Sequence, residues 1–187
     1  MSPDHTALLV VDAQNDFCAG GALAVPNAEQ VIPALNRHIA DAVAHGRPVY
    51  VSRDWHPGTS THFAPYGGPW PVHCVQDTDG ARFHPDLQVP DDVVVITKGI
   101  DPQSPGYSAF EGRTRDETPL ATDLQQRGIQ HLLVGGLATD YCVRHSVLDA
   151  LSAGFTVTVL GDAIAGVDAA DSERAVNEMR TRGATVR

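Results

Sequence analysis

Short runs of apolar, often β-branched residues recur along the chain, separated by polar residues, glycine and proline. Five of these runs are apolar at consecutive rather than alternating positions, at residues 7–11, 48–52, 93–97, 131–135 and 155–160. A strand has this pattern when helices cover both faces of a parallel sheet. The final segment, residues 184–186, is a candidate for a sixth strand.

Helical patterns lie between these runs, at residues 28–45, 119–127, 139–153 and 172–182, and each is followed by a glycine, a common helix stop. Alternation of strands and helices predicts a three-layer α/β/α fold with a mostly parallel, roughly six-stranded sheet and right-handed crossovers. A chain of 187 residues without a linker-like stretch is expected to form a single domain over residues 1–187.

Composition limits the possible partners. The formal net charge is -10, and the 13 basic residues are scattered, which argues against nucleic acid or an anionic membrane as a partner. The opening residues lack the basic start and apolar block of a signal peptide, and no window approaches the roughly 18 apolar residues of a spanning helix. Three separated cysteines without a C-x-x-C pair are not a disulfide framework. We therefore expect a soluble, cytoplasmic protein.

Catalytic and ligand-binding residues are expected at the carboxyl ends of the predicted strands, where open α/β sheets bind ligands. Asp12, Asp54 and Lys98 follow or end the first three strands, and Cys142 lies in the first turn after the fourth. Two long stretches without regular periodicity, residues 54–90 and 99–118, adjoin these positions, and such insertions are often functional. The sequence thus brings an acid, a base and a thiol to one edge of the sheet.

Cys142 is a candidate nucleophile. If Thr139 caps the next helix, the thiol lies near a helix N-terminus, which stabilises a thiolate. Lys98 could add positive charge and Asp12 could accept and return a proton, which together suit acyl transfer. The alternative is that Cys142 is a small buried apolar residue, as many free cysteines are. Cys18 and Cys74 lack this setting and are interpreted in that second way.

A metal site is predicted in the first irregular stretch. Its candidate ligands are one carboxylate and three imidazoles: Asp54, His56, His62 and His73. Such a set suits zinc, iron or manganese, and open coordination positions would mark a catalytic site. The alternative is a loop that is merely rich in histidine. Phe17 and Trp70 could enclose a flat ring, although aromatic residues in loops also anchor the fold.

Six stretches carry a resemblance to a known family: VDAQNDF at residues 11–17, RDWHP at 53–57, WPVHC at 70–74, KG at 98–99, YSAF at 107–110 and GLATDYCV at 136–143. Together and in this order they resemble nicotinamidases, within the isochorismatase-like cysteine hydrolases, over essentially the whole chain. The resemblance implies the isochorismatase-like hydrolase fold. It also implies deamidation of nicotinamide to nicotinic acid and ammonia through a thioester, in NAD salvage, with pyrazinamide as a further substrate.

The resemblance assigns roles to individual residues. Asp12, Lys98 and Cys142 match the family's catalytic triad. The bond between Leu137 and Ala138 matches a cis peptide, and the amides of Ala138 and Cys142 match an oxyanion hole. The residues implied to contact the substrate are Phe17, Trp70, Tyr107, Leu137 and Ala138.

The resemblance also implies one divalent metal ion, zinc in the first place and iron or manganese as alternatives. Asp54, His56 and His73 match the family's ligands, and His62 lies where some members supply a further histidine. Family members are often homo-oligomers. Residues 103–106, ahead of Tyr107, depart from the family pattern, and we expect that loop to border the pocket.

Four alternatives compete with this interpretation, and one of them is a pyridine-carboxamide enzyme that prefers a different ring substituent. An isochorismatase-type vinyl ether hydrolase would need neither the cysteine nor the metal loop. Amidases acting on carbamoyl or ureido groups share the triad but generally lack the metal loop. A ligand-binding module without catalysis would be expected to have lost the nucleophile or the base, and Asp12, Lys98 and Cys142 are all present.

Overall fold

The computed structural model describes residues 5–187; residues 1–4, part of the opening segment that was expected not to be a signal peptide, lie outside the described residues. The strands are β1 Thr6–Val11, β2 Val49–Asp54, β3 Val94–Lys98, β4 His131–Leu137, β5 Thr156–Ala165 and β6 Thr185–Val186. The helices are α1 Ala28–Ala44, α2 Leu120–Gln126, α3 Arg144–Ser152 and α4 Ala169–Thr181. Within residues 5–187 no helix has both the length and the hydrophobicity to cross a bilayer.

All six strands belong to one sheet with the order β3-β2-β1-β4-β5-β6, and every pairing is parallel. After β1 the chain adds β2 and β3 on one side of it, and then adds β4, β5 and β6 on its other side. Such a reversal leaves a crevice at the carboxyl ends of the two central strands. The predicted three-layer α/β/α fold with a six-stranded sheet is confirmed.

Both faces of the sheet are buried, as the consecutive apolar runs predicted. On β1, Leu8 and Val10 pack in one core with α1, whereas Leu9 and Val11 pack in a second core with α2, α3 and α4. Irregular chain completes the first core, where Phe17 and other loop residues supplement the single helix. The loops that carry the candidate site are therefore anchored in the core of the protein.

Three element boundaries differ from the prediction by more than two residues. β5 continues past residue 160 to Ala165 with a register shift against β4. α4 begins before residue 172, because the carboxylate of Asp168 accepts a 2.8 Å hydrogen bond from the amide of Asp171 and so caps the helix. The expected helix 139–153 is divided into one π-helical turn, Thr139–Val143, and α3.

The division of that helix changes the setting of Cys142. The cap position is Ala138, with no side-chain cap, so the expectation that Thr139 caps the helix is wrong. The carbonyl of Ala138 accepts hydrogen bonds from the amides of Tyr141 and Val143, both at 3.1 Å. Single π-helical turns are rare and often occur at functional sites. Cys142 lies within this turn rather than on a regular helix.

Candidate active site

Three buried charged residues meet where the central strands end. Asp12 follows β1 with a left-handed backbone (φ 46°), and Asp54 and Lys98 are paired residues at the ends of β2 and β3. Their exposed fractions are 0%, 3% and 1%. Parallel strands bring their carboxyl ends to the same edge, so the three side chains meet as predicted.

Lys98 lies between the two carboxylates. Its Nζ is 2.7 Å from Oδ2 of Asp12 and 2.5 Å from Oδ1 of Asp54, and it donates to the carbonyl of Gly106 at 3.0 Å. Burial alone would lower the pKa of Lys98, but the two carboxylates raise it well above its usual value. Lys98 is therefore a permanent cation in this site.

The two carboxylates differ in acidity. Burial, with the neighbouring Asp54 charge, raises the pKa of Asp12 above its usual value although Lys98 opposes the shift. Burial acts in the same direction on Asp54, but Lys98 and His56 outweigh it and hold the pKa of Asp54 below its usual range. Neighbouring acids whose pKa values are pushed apart commonly divide their roles, one transferring protons and the other remaining charged. Asp12 is therefore suited to accept and donate a proton, whereas the carboxylate of Asp54 is suited to remain negatively charged.

The thiol of Cys142 lies beside this cluster, with Sγ 3.6 Å from Nζ of Lys98. Burial raises the pKa of Cys142 well above its usual value, and the charges of Asp12 and Asp54 raise it further, against the opposing effect of Lys98. The expectation of a resting thiolate stabilised by a helix N-terminus is therefore wrong. The thiol keeps its proton until a base removes it.

Three buried imidazoles form a second cluster. One ring nitrogen from each of His56, His62 and His73 lies within 4.8 Å of the others. Nδ1 of His56 is 3.0 Å from the carbonyl of Gly99, and Nδ1 of His73 is 2.8 Å from the carbonyl of Pro71. Histidines that bind metals commonly donate one ring N–H to such an acceptor, which leaves the other nitrogen free to coordinate.

The imidazole cluster has the chemistry of a metal site. Nε2 of His56 is buried without a hydrogen-bond partner, which is costly unless an ion fills that role. Burial, with the charges of His56 and His73, lowers the pKa of His62 to about 4, so His62 is neutral near pH 7. Neutral imidazole is the form that coordinates metals. The residues present therefore fit a divalent ion.

Asp54 connects the two clusters. Its Oδ1 contacts Lys98 and its Oδ2 lies 3.6 Å from Nε2 of His56. A carboxylate oxygen of Asp54 also lies within 4.8 Å of an Asp12 oxygen and of the Cys142 sulfur. Asp54 thus links the Cys142 thiol to the imidazole cluster. Together these groups form one continuous polar surface, the floor of the site.

Above this floor is a cleft of about 340 Å³ including its mouth. Its wall consists of apolar, aromatic and candidate site residues: Phe17, Leu23, Val25, Asp54, His62, Trp70, His73, Tyr107, Ala138, Tyr141, Cys142 and Val167. The cleft is small, and its apolar and aromatic wall suits a small, flat molecule. Cys142, His62 and His73 face the same cleft.

Most of the residues expected to contact substrate lie in the wall: Phe17, Trp70, Tyr107 and Ala138. Leu137 does not, because its fully buried side chain packs in the core beside α1. The peptide bond between Leu137 and Ala138 is cis, as the resemblance implied. At this position the cleft is formed by Ala138.

Sequence reasoning did not identify Tyr141 and Val167 as wall residues. The ring of Tyr141 contacts that of Trp70 edge to face, with 4.8 Å between the ring centroids. The position of Tyr141 directly before Cys142 was a sequence signal that could have identified it as a wall residue. Val167 is placed by Asp140, whose buried carboxylate accepts hydrogen bonds from the amides of Val167 and Asp168, both at 3.0 Å. No local pattern marks that long-range contact.

The unusual segment at residues 103–106 has a different place from the one expected. None of its residues lines the cleft, so the expectation that it borders the pocket is wrong. Gly106 instead supplies the carbonyl that accepts from Lys98. Its φ is +61°, and a Cβ there would lie 2.6 Å from the backbone of Gly99. The segment therefore contacts Lys98 through the carbonyl of Gly106. The positive φ and the close approach to Gly99 at this position require glycine.

Comparison with known proteins shows that the chain is similar to nicotinamidases and pyrazinamidases. The nicotinamidase of Escherichia coli is 44% identical over 96% of this chain and 93% of its own length. The nicotinamidase/pyrazinamidase of Mycobacterium tuberculosis is 41% identical over 94% of both chains. The pyrazinamidase of Pyrococcus horikoshii, solved in complex with zinc, superposes with a TM-score of 0.92 at 44% identity and covers 98% of both chains.

The match to the family itself extends over almost the whole chain. Residues 6–187 match the isochorismatase domain. They contain all six strands, all four helices and every charged residue of the two clusters. The chain therefore belongs to the isochorismatase domain family.

Proposed function

We propose that this chain is a nicotinamidase, which hydrolyses nicotinamide to nicotinic acid and ammonia in NAD salvage and also accepts pyrazinamide. The observation that carries the proposal is the placement of the Cys142 thiol and two imidazoles of the cluster, His62 and His73, on one small aromatic cleft. An isochorismatase-type reaction would use neither feature. The nicotinamidase names of relatives at 41% and 44% identity support the same activity.

The first chemical stage forms a thioester. Asp12 takes the proton from Sγ of Cys142, and the sulfur forms a bond with the carboxamide carbon while the carbonyl π electrons move to oxygen. Lys98, close to both groups, offsets the negative charge of the carboxylate and the thiolate. The raised pKa of Asp12 makes its carboxylate a better acceptor for this proton, which it then returns to the amide nitrogen. The electron pair on oxygen re-forms the carbonyl bond while the carbon–nitrogen bond breaks with its pair on nitrogen, and ammonia leaves the thioester.

The second stage consumes water. Asp12 takes a proton from a water molecule whose oxygen forms a bond with the thioester carbon. The carbon–sulfur bond then breaks with its electrons on sulfur, the thiol of Cys142 recovers the proton, and nicotinic acid is released. The protein ends the cycle in its starting state, as a catalyst must.

Backbone groups would stabilise the charge that develops on the carbonyl oxygen. In our proposal the amides of Ala138 and Cys142 donate to this oxyanion. The π-helical turn supports this arrangement, because it places Cys142 and the cap residue Ala138 on the same side of one loop facing the cleft. One such donor is typically worth about 10²–10³ in kcat.

Ring recognition is assigned to the wall and to the imidazole cluster. Phe17 and Trp70 would lie against the ring of the substrate. Asp54, His56, His62 and His73 would hold a divalent ion, for which we propose zinc, and the ion would supply a Lewis acid for the ring nitrogen. The zinc complex of the Pyrococcus horikoshii pyrazinamidase supports this choice of metal.

The decisive experiment measures ammonia release from nicotinamide by metal-replete protein, chelator-treated protein and the Cys142→Ala variant. Cys18→Ala is the matched control, since Cys18 is equally buried but lies outside the cleft. We expect release only when both the metal and Cys142 are present, and normal release from the control.

Other outcomes separate the parts of the proposal. Turnover by Cys142→Ala would exclude the covalent route. Turnover after complete removal of the metal would exclude the role of the imidazole cluster. Absence of release from metal-replete protein would exclude nicotinamide as the substrate, and release from carbamoyl or ureido amides would then identify a different amidase.

A further inference from the structure

We infer that Gln14 and Asp16, neither of which can reach the cleft, are positioning residues that hold the backbone of the proposed metal ligands. The inference deepens the proposed function, because it rests on the assignment of the metal site. Both residues belong to the short segment that follows β1 and enters a 3₁₀ turn, Asn15–Phe17. They act on different ligand segments through separate hydrogen bonds.

Gln14 is fully buried and holds the backbone of Asp54 on both sides. Its Oε1 accepts from the amide of Asp54 at 2.8 Å, and its Nε2 donates to the carbonyl of Asp54 at 2.8 Å. The same Nε2 donates at 2.8 Å to the carbonyl of Ala81. The side-chain amide thus takes the place of a neighbouring strand at the end of β2. It fixes the direction in which the Asp54 carboxylate projects.

Asp16 holds the backbone that directly follows His73. Its Oδ2 accepts from the amide of Cys74 at 2.7 Å, and its Oδ1 accepts from the amide of Ala22 at 3.1 Å. Cys74 directly follows His73, and its carbonyl accepts a 2.9 Å hydrogen bond from the amide of His56. Cys74 also has a left-handed backbone (φ 44°), which a non-glycine residue adopts at a cost. Asp16 therefore stabilises the backbone at Cys74, through which the segment of His73 is hydrogen-bonded to His56.

These contacts matter because His56, His62 and His73 lie in irregular chain, outside every helix and strand listed above. Isolated backbone hydrogen bonds, such as that from His56 to Cys74, take the place of a regular ladder there, so side-chain hydrogen bonds add restraint. Partners outside the coordination sphere typically contribute about 10–100-fold to metal affinity. Gln14 and Asp16, from one short segment, restrain the backbone of three of the four proposed ligands: Asp54, His56 and His73.

The test measures zinc affinity by competition with a chromophoric chelator, in full-length protein first stripped of metal. Gln14→Glu keeps the acceptor for the amide of Asp54 but removes the donor to two carbonyls. Asp16→Asn keeps the size of the side chain but loses one of its two acceptor oxygens. Asn15→Ala is the matched control, because the half-buried Asn15 side chain donates to the carbonyl of Asp79 and to no ligand segment. His56→Ala reports loss of a ligand itself.

We expect Gln14→Glu and Asp16→Asn to weaken zinc binding by about 10–100-fold, while Asn15→Ala binds like the unmodified chain. Thermal unfolding of each variant with and without zinc separates positioning from general stability. A positioning role reduces the rise in Tm that zinc produces, whereas a merely structural role lowers Tm equally in both states. If Gln14→Glu does not fold, Asp16→Asn decides the question.

Two results would overturn the inference: unchanged zinc affinity in Asp16→Asn and in any folded Gln14→Glu, or an equal loss of affinity in Asn15→Ala. Failure of the metal assignment is a separate outcome. In that case the unmodified chain would bind no stoichiometric zinc, or His56→Ala would bind it equally well.

Discussion

The hydroxyl group of Ser52 donates a 2.6 Å hydrogen bond to Oδ1 of Asp12 beneath the floor of the cleft. Ser52 is fully buried on β2, the strand beside β1. Because the hydroxyl holds Oδ1, the other oxygen of Asp12 is directed to Lys98, at 2.7 Å. A residue from the neighbouring strand thus orients the proposed general base.

Replacing Ser52 by alanine should lower kcat roughly tenfold and leave KM nearly unchanged. A hydrogen bond to a charged group contributes about 1.5–3 kcal/mol, and 1.36 kcal/mol corresponds to about tenfold in rate. KM should not change because Ser52 does not line the cleft. Steady-state ammonia release measures both constants. Ser52→Thr, which keeps the hydroxyl, should retain most of kcat; an equal loss in both variants would contradict the assignment.

Tyr107→Phe should raise KM for nicotinamide about fivefold with kcat changed less than about twofold. The phenol oxygen of Tyr107 accepts a 2.9 Å hydrogen bond from Nε1 of Trp70. Without this acceptor the indole loses an interaction of about 1 kcal/mol, and its position against the substrate ring becomes less fixed. The control is Tyr66→Phe, since Tyr66 is 48% exposed and outside the cleft. A fall in kcat at unchanged KM would instead place Tyr107 in the chemical steps.

Much of this site was predictable because strand ends are predictable. Asp12, Asp54 and Lys98 each follow a run of consecutive apolar residues, and parallel strands bring such positions to one edge. The grouping of the histidines was less predictable: their spacing suggested a metal site but left a merely histidine-rich loop open, and the resemblance favoured the metal site. Irregular backbone has no periodicity from which the approach of His56 to His73 could be derived.

Long-range contacts explain most of what the sequence did not predict. The π-helical turn at Cys142 and the extension of β5 depend on packing between distant segments, which local propensity does not encode. The acidity of Cys142 was also predicted in the wrong direction. A helix N-terminus favours a thiolate, but burial beside Asp12 and Asp54 outweighs that effect.

Lys98→Met should destabilise the metal-free protein by about 3–5 kcal/mol. The substitution removes the cation from two buried carboxylates, and breaking a buried pair leaves the remaining charge uncompensated. Urea unfolding at constant pH measures the loss. Adding Asp54→Asn to Lys98→Met should restore part of the stability, because one of the two unpaired carboxylates is removed. A double variant less stable than the single one would show that the Asp54 carboxylate has other essential partners.

The stability of the metal-free protein should fall as the pH decreases from about 6.5 towards 4. Burial, with the charges of His56 and His73, lowers the pKa of His62 from its ordinary 6.5 to about 4 in the folded state. In this range the unfolded chain binds the proton that folded His62 refuses, so unfolding takes up protons and becomes easier as the pH falls. Below pH 4 both states are protonated and His62 causes no further loss.

Urea unfolding of chelator-treated protein at several pH values between 7.5 and 4 would measure this dependence. His62→Gln should flatten the curve, because the titrating group is absent. His45→Gln is the matched control: His45 is an exposed histidine at the end of α1, and this variant should follow the unmodified chain. Zinc-saturated protein should lose stability more steeply over the same range, since protons compete with the metal for the imidazoles. If His62→Gln and the unmodified chain showed the same slope, proton uptake at His62 would not be the cause of the loss.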